Sequence, residues 1–256
     1  MRYLLTAMMV AAVLAGCSLM GRQDAAPPAP VAPPMAGYFQ RAIAAGDFSF
    51  VAYEKIRMPG QVATVYIGGA GTDAGVAPAL AGRDKSPNVI YLTRLCGKAS
   101  CGEDRRSGLD TNAAVSQALD TLKAAHKFYG FNLVGFASGA AVAALVAAQR
   151  EDILSLRTVA GHLDTVVYAR LRDLPPPDKA TNPAGVAPRL LPLAQKHFIG
   201  GRDTVVSAAI GNSYIEASGR ADCLSLTVVE KAAHTEGWAE VWPDLLEQPL
   251  EGGCGG

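Results

Sequence analysis

Residues 131 to 150, FNLVGFASGAAVAALVAAQR, join a short apolar run to an Ala-rich run with no loop between them. A strand that passes straight into a helix must reverse within about one residue, and so tight a turn leaves no space for side chains on its flanks. Gly135 and Gly139 bracket the turn, which makes Ala137 its apex. With Ser138 as apex, Phe136 and Ala140 would take the flanking places, and a phenyl ring would sit where strand meets helix. The glycines set the register. Ser138 is then the first helical residue, where a hydroxyl commonly serves a backbone N–H.

Around this turn, strand-like runs occur at 49–57, 61–69, 88–92, 131–136, 156–162, 196–201 and 224–231. The later ones are short with apolar residues on consecutive positions, and 196–201 ends in glycine, as expected of strands buried on both faces of a parallel sheet. Helical patterns lie between them, at 110–130, from Ser138 to Asp152, and at 235–248. In the first of these, Val115, Leu119, Leu122 and Phe128 fall near helical spacing and Gly130 is the stop. Alternating strands and helices predict an α/β fold, a mostly parallel sheet with helices on both faces. The segment 165–193, with LPPPDK and NPAGVAP, reads as a loop-like lid between two strands.

The chain's 256 residues are enough for one sizeable core, and its 23 acidic and 23 basic residues cancel. With no net charge and no Lys/Arg run, binding to nucleic acid is set aside. Arg2 followed by YLLTAMMVAAVLAG reads as a targeting segment, too short to span a bilayer comfortably. It ends in LAGC, residues 14–17, which resembles a bacterial lipobox. That resemblance implies a signal peptide at 1–16, cleavage before Cys17, and acylation of Cys17. Several acyl chains on one residue would hold the protein at a membrane. Ser18, in place of Asp, points by the same resemblance to the outer membrane, facing the periplasm. Residues 24–37, DAAPPAPVAPPMAG, predict an extended spacer within a linker at 17–37. A folded domain at 38–250 and a Gly-rich tail at 251–256 complete the chain. Cys96 and Cys101, in CGKASC, are close enough to form a disulfide in an exported protein, and no His accompanies them as in a zinc site. Cys223 and Cys254 are candidates for a second bridge.

Over about 200 residues the chain resembles the α/β-hydrolase superfamily, and within it small bacterial lipoproteins. The features that carry this are VYIGGAG, NVIYLTRLC with a second cysteine five residues on, LVGFASGAA, TVAGHLD, HFIGGRDTVV and VEKAAHTEGW, in that order. The resemblance implies an esterase-like site with a nucleophile, an acid and a base in chain order. Asp203, in the turn after HFIGG, stands at the acid's station, and His234, after LTVVEK, at the base's. An oxyanion hole would use backbone N–H groups of Ser138 and of Gly69, in the glycine loop GGAGT. The family's serine belongs at position 137, where this chain has Ala137.

Two functions follow as expectations. In the first, the pocket binds a small ester-like or lipid-like ligand and catalyses nothing, or very little. In the second, Ser138 acts as a displaced nucleophile with His234 and Asp203 in an active esterase or lipase. His162 ends a strand on the site side and, with Asp164, is a candidate to line the pocket. His126 and His197 read as structural. Scattered histidines without close carboxylate partners do not make a metal site, and no cofactor is expected.

Overall fold

The computed structural model describes residues 35–46, 48–69, 75–95 and 108–251. Among these residues eight strands form one sheet: β1 (Phe39–Ala45), β2 (Phe48–Ile56), β3 (Ala63–Ile67), β4 (Asn88–Leu95), β5 (Phe131–Phe136), β6 (Ile153–Val159), β7 (Ala194–Gly200) and β8 (Leu226–Val229). Their spatial order is β1-β2-β4-β3-β5-β6-β7-β8. The β1/β2 and β2/β4 pairs are antiparallel and all the others parallel, so the mixed, mostly parallel sheet expected from the sequence is the one observed.

Among the described residues six helices accompany the sheet: α1 (Val76–Arg83), α2 (Gly108–His126), α3 (Ser138–Ala147), α4 (Thr165–Leu171), α5 (Ala208–Ala217) and α6 (Trp242–Glu247). Alternation along β3 divides the core between two faces. Val65 and Ile67 pack with Val115, Leu119 and Leu122 of α2 and with Ala143 and Val146 of α3. Tyr66 points the other way, toward Leu80 of α1 and Trp242 of α6. Its hydroxyl donates to Asp84 at 2.8 Å and accepts from the Trp242 indole at 3.0 Å. That network gives the buried hydroxyl, carboxylate and indole it joins their hydrogen-bond partners.

Four local expectations change. β1 is absent from the strands read in the sequence, because its Gln-Arg-Ala-Ile-Ala-Ala composition carries little strand signal. It is held instead by pairing with β2 and by the Arg41–Glu54 contact at 2.6 Å. The sixth strand ends at Val159 rather than at His162, since Ala160 adopts φ 47° and breaks the extended run. The final helix is confined to Trp242–Glu247, with a Pro in its first turn. The residues before it turn at Gly237, φ 79°, a conformation that stops a helix. The segment 165–193 is not merely loop: it holds α4 and 3-10 turns at Lys179–Thr181 and Pro183–Leu190. Asp164 starts α4 by accepting from the N–H groups of Val166 and Val167.

The strand–turn–helix at β5/α3 is packed against the backbone of β3. A Cβ on Gly139 would lie 2.2 Å from the Ile67 carbonyl oxygen, and one on Gly135 would lie 2.4 Å from the Ala140 Cα. Both neighbours are main chain and cannot rotate away. Gly139→Ala is therefore expected to cost about 2–3 kcal/mol and to lower the thermal midpoint by roughly 5–10 °C. Gly82→Ala, in α1 with nothing within 4 Å of the new methyl, should leave the midpoint unchanged or slightly raised. Thermal unfolding of the two variants checks both.

Candidate active site

Strand order reverses around β3, which has β4 on one side and β5 on the other. The crevice at the carboxyl end of such a reversal is where open α/β sheets bind ligands. Gly68, Gly69 and the β5/α3 turn occupy that place. Ala137 sits at the apex with φ 50° and ψ −121°, a conformation that side chains rarely adopt. It is retained because its N–H donates to Val159 at 3.0 Å, while its carbonyl accepts from Ala140 and His162, each at 3.1 Å. A strained residue over-determined by its surroundings is a recurrent feature of functional sites.

Gly69 lies against this apex. A Cβ there would be 3.3 Å from the Ala137 Cβ, 3.2 Å from the Ser138 Oγ and 3.4 Å from the Ser138 nitrogen. The structure thus brings Gly69, Ala137 and Ser138 together. Ser138 opens α3, and with Gly68, Gly139, Thr111, Ile67 and Val142 it lines a cavity of about 20 Å³. That space suits one water.

Asp203 and His234 come from the ends of neighbouring strands. After β7, Gly200 and Gly201 let the chain run against the 230–232 backbone, where a Cβ on Gly200 would be 2.5 Å from the Ala232 carbonyl. Arg202 N–H then donates to Ala232 at 2.9 Å, which carries Asp203 beside the His234 loop. Trp238 is buried below that loop, and its indole N–H donates to the carbonyls of Ala233 at 2.8 Å and His234 at 3.1 Å. The His234 Nδ1 meets the Asp203 Oδ2 at 3.0 Å. The other carboxylate oxygen accepts the N–H groups of Val205 and Val206 at 2.7 and 2.8 Å.

Burial opposes charge on Asp203, but hydrogen bonds from His234 and from the Val206 and Val205 N–H groups outweigh it. Together they hold the carboxyl below its ordinary range. An ionised carboxylate only accepts, so the proton of a neutral His234 is on Nδ1 and its Nε2 carries the lone pair. The ring packs 5.4 Å from that of Phe136, the residue before the apex. This pair can hold and transfer a proton beside Ala137.

His162 also reaches the site, stacked on Tyr168 at 4.1 Å. Burial, and then the electrostatic influence of the neighbouring His234 imidazole, push its pKa down to about 4. Asp164 does not line the pocket with it. Its carboxylate caps α4 and also accepts from Asn182 at 3.1 Å and Ser213 at 2.7 Å, so both oxygens are engaged in holding the segment. Tyr168 and Trp238 had no signal in the sequence that tied them to the site. His126 pairs with Glu54 at 2.6 Å, and His197 meets Thr158 at 2.9 Å. Both are structural. Among the described residues no group of three His, Cys, Asp or Glu could hold a metal, and no helix is long and apolar enough to cross a membrane. Cys17, Cys96, Cys101 and Cys254 lie outside the described residues.

His197 shares the depressed state of His162: burial lowers it to about 4 against the pull of Glu251. Unfolded imidazoles protonate near pH 6.5, so between about 6.5 and 4 the unfolded chain binds protons that the fold refuses. Stability should therefore fall as pH drops through that window. His197→Gln should shrink the loss, as measured by urea unfolding at pH 7 and pH 4.5.

No sequence family matches the chain, and no curated protein matches it. Solved structures do. Est1E from Butyrivibrio proteoclasticus superposes with a TM-score of 0.61 at 11% identity, covering 81% of this chain and 96% of that one. An esterase from Pyrococcus furiosus gives 0.58 at 16%, covering 82% and 87%. An α/β serine hydrolase homologue from Coxiella burnetii gives 0.57 at 14%, covering 82% and 94%. Identities this low speak for the fold alone, and with the strand order above they establish that the chain has the α/β-hydrolase fold.

Proposed function

We propose that this is an exported, lipid-anchored protein with an esterase-like Asp203–His234 site that lacks the nucleophilic serine. In this reading it binds a small ester-like or lipid-like ligand and hydrolyses it very weakly or not at all. One observation carries the reading: Ala137, at φ 50°, occupies the apex between Gly135 and Gly139, beside a formed acid–base pair. Fold neighbours that include an esterase support the ligand class.

Ser138 is less suited to the reaction. As apex it would need Phe136 and Ala140 in the places that the packing reserves for glycine, and Phe136 is fully buried against the His234 ring. Removal of the nucleophile from a serine hydrolase costs on the order of 10⁶ in turnover, while an oxyanion hole and binding alone leave about 10³–10⁴ over water. His234 could deliver a water in place of the hydroxyl, within that residual range.

Lipidation of Cys17 and a spacer to residue 37 would set the domain at the bacterial outer membrane, facing the periplasm. A Cys96–Cys101 disulfide belongs to the same proposal.

Two outcomes are expected. Ala137→Ser should raise hydrolysis of p-nitrophenyl butyrate by several orders of magnitude and acquire fluorophosphonate labelling at residue 137. A folded variant that stays inert would reject the esterase-like site. Cys17→Ser should move the protein from the membrane to the soluble fraction, and unchanged fractionation would reject the anchor.

A further inference from the structure

The parallel strands have two poles. The Ala137–His234 site lies at their carboxyl ends, and the chain enters the domain at the other. Antiparallel pairing sets Ile56 opposite Asn88, the first residue of β4, so residues 57–61 run on past the amino ends of the parallel strands. There the Arg57 N–H donates to Pro87 at 3.0 Å, the Gly60 N–H to His126 at 2.9 Å and the Tyr129 N–H to Gln61 at 3.3 Å. Tyr38, at the chain's entry, is fixed to the same pole. Its hydroxyl donates to the carbonyl of Ala81 near the end of α1, at 2.7 Å, and the Lys55 ammonium lies over its ring.

Apolar side chains are left in solvent at this pole. Phe39, Met58, Tyr129 and Leu154 stand 80%, 51%, 72% and 38% exposed. Leu154 lies against Gly130, where a Cβ would be 3.2 Å from its Cγ, and so beside Tyr129. One such residue is ordinary, but several at one end, rimmed by charge, mark an interaction surface. The rim is cationic. Arg57, Arg83, Lys85 and Lys127 are exposed, and among the described residues none of them enters an ion pair. The neighbouring acids are already engaged: Glu54 by Arg41 and His126, Asp84 by Tyr66 and the Ser86 N–H, Asp152 by Lys123 and Arg150. Glu151 is exposed and offsets one of the four cations.

We propose that this pole docks onto an anionic phospholipid surface. Met58, Tyr129 and Leu154 enter the headgroup layer, and Arg57, Arg83, Lys85 and Lys127 meet the lipid phosphates. Tyrosine suits the level where water gives way to lipid, and cations beside a membrane are drawn to its anionic leaflet. This rests on the reading of Cys17 as a lipid anchor. The chain from Cys17 to Met35 can reach at most roughly 60 Å, so an anchored domain stays at high effective concentration near the bilayer. A weak surface is then enough to dock it, and entry through Tyr38 brings this pole to the membrane. Strands of five residues in β3 and seven in β6 and β7 separate it from the site. The site then faces water, roughly 20 Å from the docked pole, and its ligand arrives from the aqueous side.

The test uses the acylated full chain in vesicles of phosphatidylcholine with one-third phosphatidylglycerol, brominated in the acyl chains. Trp238 and Trp242 are buried, so an added tryptophan reports its own surroundings. Fluorescence of Tyr129→Trp should fall about twofold, as for a ring seated at the boundary of headgroups and chains. Leu171→Trp, on α4 at the opposite pole, should not be quenched. Adding Lys85→Glu and Lys127→Glu to Tyr129→Trp should abolish the quenching while the protein still sediments with the vesicles. Sedimentation without selective quenching of Tyr129→Trp would overturn the surface and leave the anchor standing. Quenching that survives the two charge reversals would overturn the role of the cations. A concentration-dependent blue shift of Tyr129→Trp without vesicles would assign the pole to a second copy of the chain, against the proposal. No sedimentation at all would overturn the surface and the anchor together.

Discussion

Among the described glycines, the tightest approach is of backbone on backbone, where the β5/α3 turn meets the end of β3. Gly139 lies where any side chain would run into the Ile67 and Gly68 carbonyls, and Gly135 lies where one would strike Ala140. These contacts force the chain to reverse in a single residue and hold Ala137 in a conformation it would not choose. The rest of the site is arranged around that point. Gly69 can approach the apex because α3 has been drawn in so tightly, and the apex carbonyl in turn fixes the backbone of His162. Strain of this kind costs about 1–3 kcal/mol and persists only where the surroundings over-determine it.

The second half of the site depends on two strand ends. Gly200 and Gly201 let β7 leave the sheet along the chain that follows β8, so that Asp203 faces His234 across one hydrogen bond. Asp203 is buried, yet its two oxygens accept three N–H groups, and these offset the desolvation that would otherwise favour its protonated form. Trp238 holds the His234 loop from below. An acid–base pair kept in this condition next to an alanine is the combination from which the proposed binding function is argued.

Much of this was legible in the chain. The two glycines at the turn, the glycine pair that closes HFIGG, and Asp203 and His234 following their strands are all local features, set by which residues fit a tight turn or a buried strand. β1 was not legible, because its pairing with β2 creates a strand from residues with little preference for one. The final helix was overread, since apolar spacing from Thr235 onward suggested a helix that Gly237 prevents. Asp164 was misassigned to the pocket because a carboxylate near a site looks the same in sequence whether it faces a ligand or caps a helix. Only its four hydrogen bonds distinguish the two.

By itself, the sequence determined the class of fold, the register of the turn and the residue types at three stations of the site, because steric exclusion at glycine and burial of apolar strands act over a few neighbouring residues. The tertiary structure alone decided what surrounds those stations. That the indole of Trp238 secures His234, that Tyr168 lies on His162, and that the His162 Nε2 is left without a partner follow from how distant segments pack. Hydrogen bonds and ring contacts reach only a few ångströms in space, and no spacing along the chain encodes them.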